Sequence, residues 1–138
     1  MRRPHVLCFG SLARLDGAGG IATTPLVSEA VGATNVTTGS TLFPPGTGLA
    51  LHSHNTDEQV TVIEGEATVQ IEETRKVLHP YDTTFIPSGI FHRFFNQSSN
   101  PVRILWIYTG VGVTRTLAET GETVSHLSGS DIRANHRC

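Results

Sequence analysis

"HSHNTDEQVTVIEGE", residues 52–66, sets two histidines one residue apart, places a glutamate four positions beyond the second, and then alternates apolar with polar side chains. Successive side chains of an extended strand take opposite faces, so His52 and His54 share one side together with Ala50. They sit ~6.5 to 7 Å apart along the backbone, a separation from which two imidazoles can lean toward one ion. A tight turn through Asn55, Thr56 and Asp57 brings Glu58 back beside them at the start of the next strand. Val60 and Val62 share the face of Glu58, while Thr61 and Ile63 point away, which predicts an apolar wall around the site.

The same grammar extends along the chain. Short runs rich in Val, Ile, Thr and Phe recur between clusters of Gly, Pro, Asn and Asp, and predict strands within 21–28, 34–43, 49–54, 58–65, 66–72, 76–79, 82–87, 92–96 and 102–110. Only residues 28–33 and 116–122 offer even one helical turn. The fold class is therefore all-β, built of antiparallel hairpins. Residues 113–138 are polar enough to be read as a tail outside the barrel, ending in a disordered stretch over residues 133–138.

A second stretch, "PSGIFHRFFN" at residues 87–96, carries His92 at a strand start after a Pro-Gly turn, with Phe94 on its face. If that strand neighbours the first two, His92 joins His52, His54 and Glu58 as a fourth ligand. Three neutral imidazoles and one carboxylate suit a divalent transition metal, Fe, Mn, Ni, Zn, Co or Cu, and leave positions open for water, dioxygen or substrate. The bland alternative is a set of histidines satisfied by internal hydrogen bonds. His5, His79, His126 and His136 have no partner at ligand spacing and are read as surface or strand-edge residues.

Composition excludes several classes. The chain has 138 residues, the size of one domain, and a formal net charge of −2, which offers no footprint for nucleic acid or an anionic membrane. Arg2 and Arg3 precede an apolar run that Gly10, Ser11 and Arg14 cut too short for a signal peptide, and no stretch has the roughly 20 apolar residues of a membrane span. Cys8 and Cys138 lack the spacing of a disulfide framework or a zinc knuckle, so a reducing, cytoplasmic setting is the simpler reading.

The spacings resemble those of the cupins. The first cupin motif fits at Gly46, His52, His54, Glu58 and Gly65, and the second is similar at Pro87, Gly89, His92 and Asn96. Tyr81 departs from the pattern, standing where the second motif begins with Gly, although Asp82 still follows. The resemblance implies a single jelly-roll β-barrel at about residues 36–112, with residues 1–35 packing on the barrel or on a partner. It also implies a homodimer and a metal held by His52, His54, Glu58 and His92. Gly46, Gly65, Pro87 and Gly89 are scaffold residues of turns, and Asn96 is read as a strand-end hydrogen-bonding residue.

The expected function is metal-dependent chemistry on a small oxygenated organic substrate. A non-haem dioxygenase leads on family frequency alone. A redox-neutral isomerase, lyase or decarboxylase is the alternative, and a non-catalytic small-molecule binding or sensing module is the other. Glu58 would shuttle a proton as well as ligate, assisted by Tyr108 or His79, and Val60, Val62 and Phe94 would wall the substrate. The run "RILWIY", residues 103–108, has Trp106 and Tyr108 on one face and Arg103 on the other, and parity alone does not say which face looks inward.

Overall fold

The computed structural model describes residues 2–127 and, as backbone, residues 136–137. Where β-branched and polar residues alternate the chain extends, and where Gly, Pro and Asn cluster it reverses. The strands in chain order are β1 (Leu15–Asp16), β2 (Ala22–Pro25), β3 (Thr37–Phe43), β4 (Thr47–Gly48), β5 (His52–His54), β6 (Glu58–Glu64) and β7 (Ala67–Ile71). They continue as β8 (Thr74–Leu78), β9 (Thr83–Ile86), β10 (His92–Phe95), β11 (Val102–Tyr108), β12 (Thr114–Leu117), β13 (Thr123–Ser125) and β14 (His136–Arg137). The described helical elements are 3₁₀ turns at Phe9–Ser11, Ala18–Gly20 and Glu29–Val31. Of residues 116–122, the other candidate for a helical turn, 116–117 end β12 and 118–120 form a plain turn.

Among the described residues the strands make two antiparallel sheets. One has the order β1-β2-β3-β11-β6-β9, and the other β13-β12-β5-β10-β4-β14, with β7 on β10 and β8 on β7. Val60, Val62 and Ile104 of the first sheet meet Ala67, Val69 and Phe94 of the second in one buried core, the jelly-roll arrangement. No helix among the described residues is long and apolar enough to cross a membrane.

Register decides which side chains reach the interior. On β11 Val102, Ile104, Trp106 and Tyr108 are buried and the alternate residues are half-buried, so the Trp-Tyr face looks inward. Tyr108 pairs with Glu58, and Trp106 with Val60 on one side and Gly39 on the other. A methyl group on Gly39 would lie 2.1 Å from Trp106 Cζ2, so the indole occupies the space of a missing side chain.

Two turns test the motif. Gly65 has φ 82°, and a Cβ there would stand 2.3 Å from Pro101 O, so both conformation and space require glycine. Tyr81 takes the same left-handed region at φ 71°, with its N–H donating to Val62 O (2.7 Å). The second motif's opening turn thus keeps a glycine geometry with a tyrosine in it. Asn96 is fully buried and donates to Phe43 O (3.0 Å) and Asn100 O (2.7 Å), a strand-end lock.

The polar tail is corrected in part. β12 pairs with β5 and β13 pairs with β12, so residues 114–125 belong to the second sheet. The physical reason is a period of two in "VTRTL": Val113 and Arg115 are buried, alternating with threonines that face out. The expected disorder over residues 133–138 lies outside the described residues, except that His136–Arg137 pairs with Thr47–Gly48.

Candidate metal centre

Two neighbouring strands of one sheet bring the histidines together. His52 and His54 stand on β5, and β10 lies antiparallel to it with His92 directly opposite His52. All three rings are buried, and their centres lie 4.5 to 5.4 Å apart. One ring nitrogen from each falls within 4.8 Å of the others, close enough to share one divalent ion. Glu58 arrives from the facing sheet, its Oε1 2.9 Å from His92 Nε2 and its Oε2 3.9 Å from His54 Nε2.

Backbone carbonyls fix the tautomers. A carbonyl only accepts, so the Nδ1–H groups of His52, His54 and His92 donate to Ala50 O (2.6 Å), Thr114 O (2.9 Å) and Ile90 O (2.8 Å). Each Nε2 therefore presents a lone pair, the form in which imidazole binds metals, with its orientation set by the carbonyl behind it. His92 Nε2 and Glu58 Oε1 are buried and complete no hydrogen bond. So many acceptors around so few donors fit a cation, and these four side chains are the ones that would hold it.

Electrostatics agree with neutral histidines. Burial, then the charges of Arg115, His54 and His92, hold His52 well below the ordinary range. His54 is lowered to about 4, chiefly by burial and against the pull of Glu58. Burial raises Glu58, but the neighbouring His92 and His54 and the Tyr108 hydroxyl outweigh it and hold the carboxyl below its usual value.

Residues 39–108 match the family described as a cupin domain, about half of the chain. The chain belongs to the cupin family. A mannose-1-phosphate guanylyltransferase from Sinorhizobium fredii is 34% identical over 67 residues, 48% of this cupin and 13% of that protein. The cupin thus spans only about an eighth of that relative's length. Among solved structures, a sugar phosphate isomerase of the cupin superfamily from Silicibacter pomeroyi superposes with a TM-score of 0.71 at 20% identity, covering 93% of this chain and 99% of that one. An RmlC-like cupin from Shewanella frigidimarina gives 0.70 at 20% identity, over 80% and 96% of the two chains.

The centre of this cupin opens on a cavity of about 30 Å³, lined among others by Phe94, Ile104, Trp106, Tyr108, Arg115 and His126. Tyr108 carries its hydroxyl 3.2 Å from His54 Nε2 and 3.3 Å from His126 Nε2. Trp106 forms the next part of the wall, its indole N–H donating to Thr41 Oγ1 (2.9 Å). A larger outer chamber of about 430 Å³ shares Trp106, His126 and Leu127 with the cavity.

Four expectations change. Arg103 faces away from the cavity, donating to Ser40 Oγ (3.3 Å) with its guanidinium 5.1 Å from the Phe9 ring centre, because it has the opposite parity to Trp106. Val60 and Val62 share the inward face of Glu58 but are packed in the core and do not line the cavity. His79 is exposed, as its surface reading has it, 3.6 Å from Glu66 and 3.7 Å from Asp82, and does not line the cavity, so its suggested assistance to Glu58 falls away. His126, read as a surface residue, lines the cavity and is held well below its ordinary pKa by burial, then by Arg115 and His54.

Arg115 is the other residue that the motifs do not announce. It lies on β12 opposite His54 and is only 4% exposed. Its signal was the alternation of residues 113–117, masked because arginine in a polar segment normally means solvent.

Proposed function

We propose that this cupin is a metal-dependent enzyme that performs redox-neutral proton-transfer chemistry, isomerisation, elimination or decarboxylation, on a small oxygenated organic molecule. The observation that carries the reading is the Tyr108 hydroxyl, buried between His54 Nε2 and His126 Nε2 at 3.2 and 3.3 Å. When bound at His52, His54, Glu58 and His92, a divalent ion would supply Lewis-acid polarisation of a substrate oxygen.

The chain's own groups then handle the proton. With His54 Nε2 engaged as a ligand, the Tyr108 hydroxyl still faces His126 Nε2 and the Glu58 carboxylate. His126 is neutral, so it can take a proton through Tyr108 and return it on the same path. Trp106, Phe94 and Ile104 keep water away from that exchange. A dioxygenase rests on the same ligands, but it gives the Tyr108–His126 pair no task.

Incubation of the metal-loaded protein with small hydroxy and keto compounds in deuterium oxide tests the reading. Deuterium should enter a substrate carbon without oxygen uptake, and Tyr108→Phe should slow its entry by about 10²-fold. Stoichiometric oxygen consumption would return the dioxygenase. A ligand that binds saturably and is recovered unchanged and unlabelled would make the protein a binding module.

A further inference from the structure

Thr23 and Thr41 form a buried hydroxyl pair on the cavity wall, outside both motifs. They stand directly opposite each other on β2 and β3, on the inward faces that also carry Ile21 and Phe43. Valine would fill the same space, and a buried hydroxyl is costly where its hydrogen bonds are not all made. The Trp106 indole accounts for one of the two hydroxyls: its N–H only donates, and Thr41 Oγ1 accepts it at 2.9 Å. The other hydroxyl is left to explain.

Two hydroxyls carry two hydrogens, and the contact from Thr23 Oγ1 to Thr41 Oγ1, 3.2 Å, uses one. Among the described residues neither hydroxyl has a further acceptor, so one hydrogen is left for the cavity that both residues line. The indole decides which one. An oxygen that accepts a hydrogen bond donates a stronger one, and the order Trp106 to Thr41 to Thr23 gives each oxygen one incoming hydrogen. The reverse order puts two on Thr41 and none on Thr23. The chain therefore ends with the Thr23 hydrogen turned to the open space.

Position limits what that hydrogen can meet. The sheet order β2-β3-β11-β6 sets Thr23 three strands from Glu58, with Trp106 and Tyr108 of β11 between them, their ring centres 5.3 Å apart. An oxygen at the histidine cluster and an oxygen at Thr23 thus belong to different carbons of one molecule, several bonds apart. The cavity that joins them is about 30 Å³, of the order of two water-sized spheres, which favours a slim open chain over a ring.

Resting on the proton-transfer reading above, we propose that Thr23 is a specificity-determining residue and that the substrate is a short, open-chain polyhydroxy carbonyl compound. One end of the molecule faces the histidine cluster, and a hydroxyl oxygen at the other end accepts the Thr23 hydrogen. Trp106 then has a second task beside sealing the wall, since its N–H polarises the chain that ends at Thr23. Proton transfer stays with Tyr108 and His126.

The test titrates the full chain, its metal content measured in parallel, with erythrulose and with 1,3-dihydroxybutan-2-one, which lacks only the terminal hydroxyl. Binding is followed by the proton NMR signal of the single indole N–H. Parent protein should bind erythrulose about tenfold more tightly, and only erythrulose should move the indole signal downfield. Thr23→Val should bring the two probes within about twofold without lowering the denaturation midpoint, and Thr23→Ser should restore most of the preference. If Thr23→Val does not fold by circular dichroism, Thr23→Ala serves with the same expected loss of preference. A preference that survives without the Thr23 hydroxyl, an equal loss of both probes in the variant, or a parent that binds neither probe overturns the proposal. Deuterium incorporation read on the same samples separates the two readings. Selection through Thr23 with no label entering overturns the proton-transfer function and leaves the Thr23 assignment standing, while equal binding and equal labelling of both probes does the reverse.

Discussion

His92 Nε2 and Glu58 Oε1 stand 2.9 Å apart, buried, with no hydrogen bond completed between them. His92 gives its Nδ1 proton to Ile90 O, so in the neutral tautomer a lone pair would face a carboxylate oxygen. Only a cation or an added proton makes that approach favourable.

Glu58→Gln separates metal affinity from apo stability. The amide can donate to His92 Nε2, so the metal-free variant should gain about 1 kcal/mol in denaturant unfolding. Loss of the charged ligand should weaken metal binding at least about tenfold in chelator competition. Equal metal affinity in the two proteins would remove Glu58 from the ligand set.

Metal-free protein should lose stability in acid. His54 titrates at about 4, and His52 and His126 lie well below 6.5, so between about pH 6.5 and 4 the unfolded chain binds more protons than the folded one. Stability therefore falls as pH falls through that interval, by roughly 3 kcal/mol from His54 alone. The lowered Glu58 adds to the loss below about the ordinary carboxyl value of 4.5, where the unfolded carboxyl begins to take up protons first. Urea unfolding at several pH values in the presence of a chelator checks it, and a flat profile would contradict neutral buried histidines.

Gly39→Ala should destabilise by about 2–3 kcal/mol, because the new methyl group meets Trp106 Cζ2 and Cη2 at 2.1 and 2.3 Å. The indole N–H should also lose its bond to Thr41, visible as faster amide and indole hydrogen exchange around β3. A denaturation midpoint within error of the parent would mean that the strand yields freely.

Tyr81→Gly runs the other way. At φ 71° an exposed tyrosine pays for a backbone that glycine adopts without strain, so the variant should be more stable by about 1 kcal/mol in thermal unfolding. A lower melting temperature would show that the tyrosine's contacts outweigh the strain.

Truncation after residue 112 should cost metal affinity at least about tenfold, although no ligand is removed. His54 gives its Nδ1 proton to Thr114 O and lies opposite Arg115 on β12, so its ring loses both supports. Unchanged metal content in the truncated chain would make the C-terminal strands dispensable to the centre.

The ligands and the turns are legible in the sequence for a shared reason. His52, His54, Glu58 and His92 are tied to strand parity and to turns a few residues away, and local spacing carries that information. Arg115 and His126 depend instead on β12 folding back against β5 from 60 residues further along, a long-range pairing that local periodicity does not encode. The inward face of residues 102–108 is likewise settled by pairing with β3 and β6. Val60 and Val62 have the right parity and still miss the cavity, because they are packed into the core cluster with Val69, Phe94 and Ile104.

The chain has one tryptophan, and it is the wall residue Trp106, its ring centre 5.2 Å from that of His126 and 5.3 Å from that of Tyr108. Its light emission is therefore a private signal from the cavity, uncontaminated by any other indole. Ions with part-filled d shells should quench it on binding, zinc with its filled shell should leave it bright, and a ligand that dries the wall should shift it to the blue. The same residue that seals the chamber makes the metal and substrate titrations readable without a label.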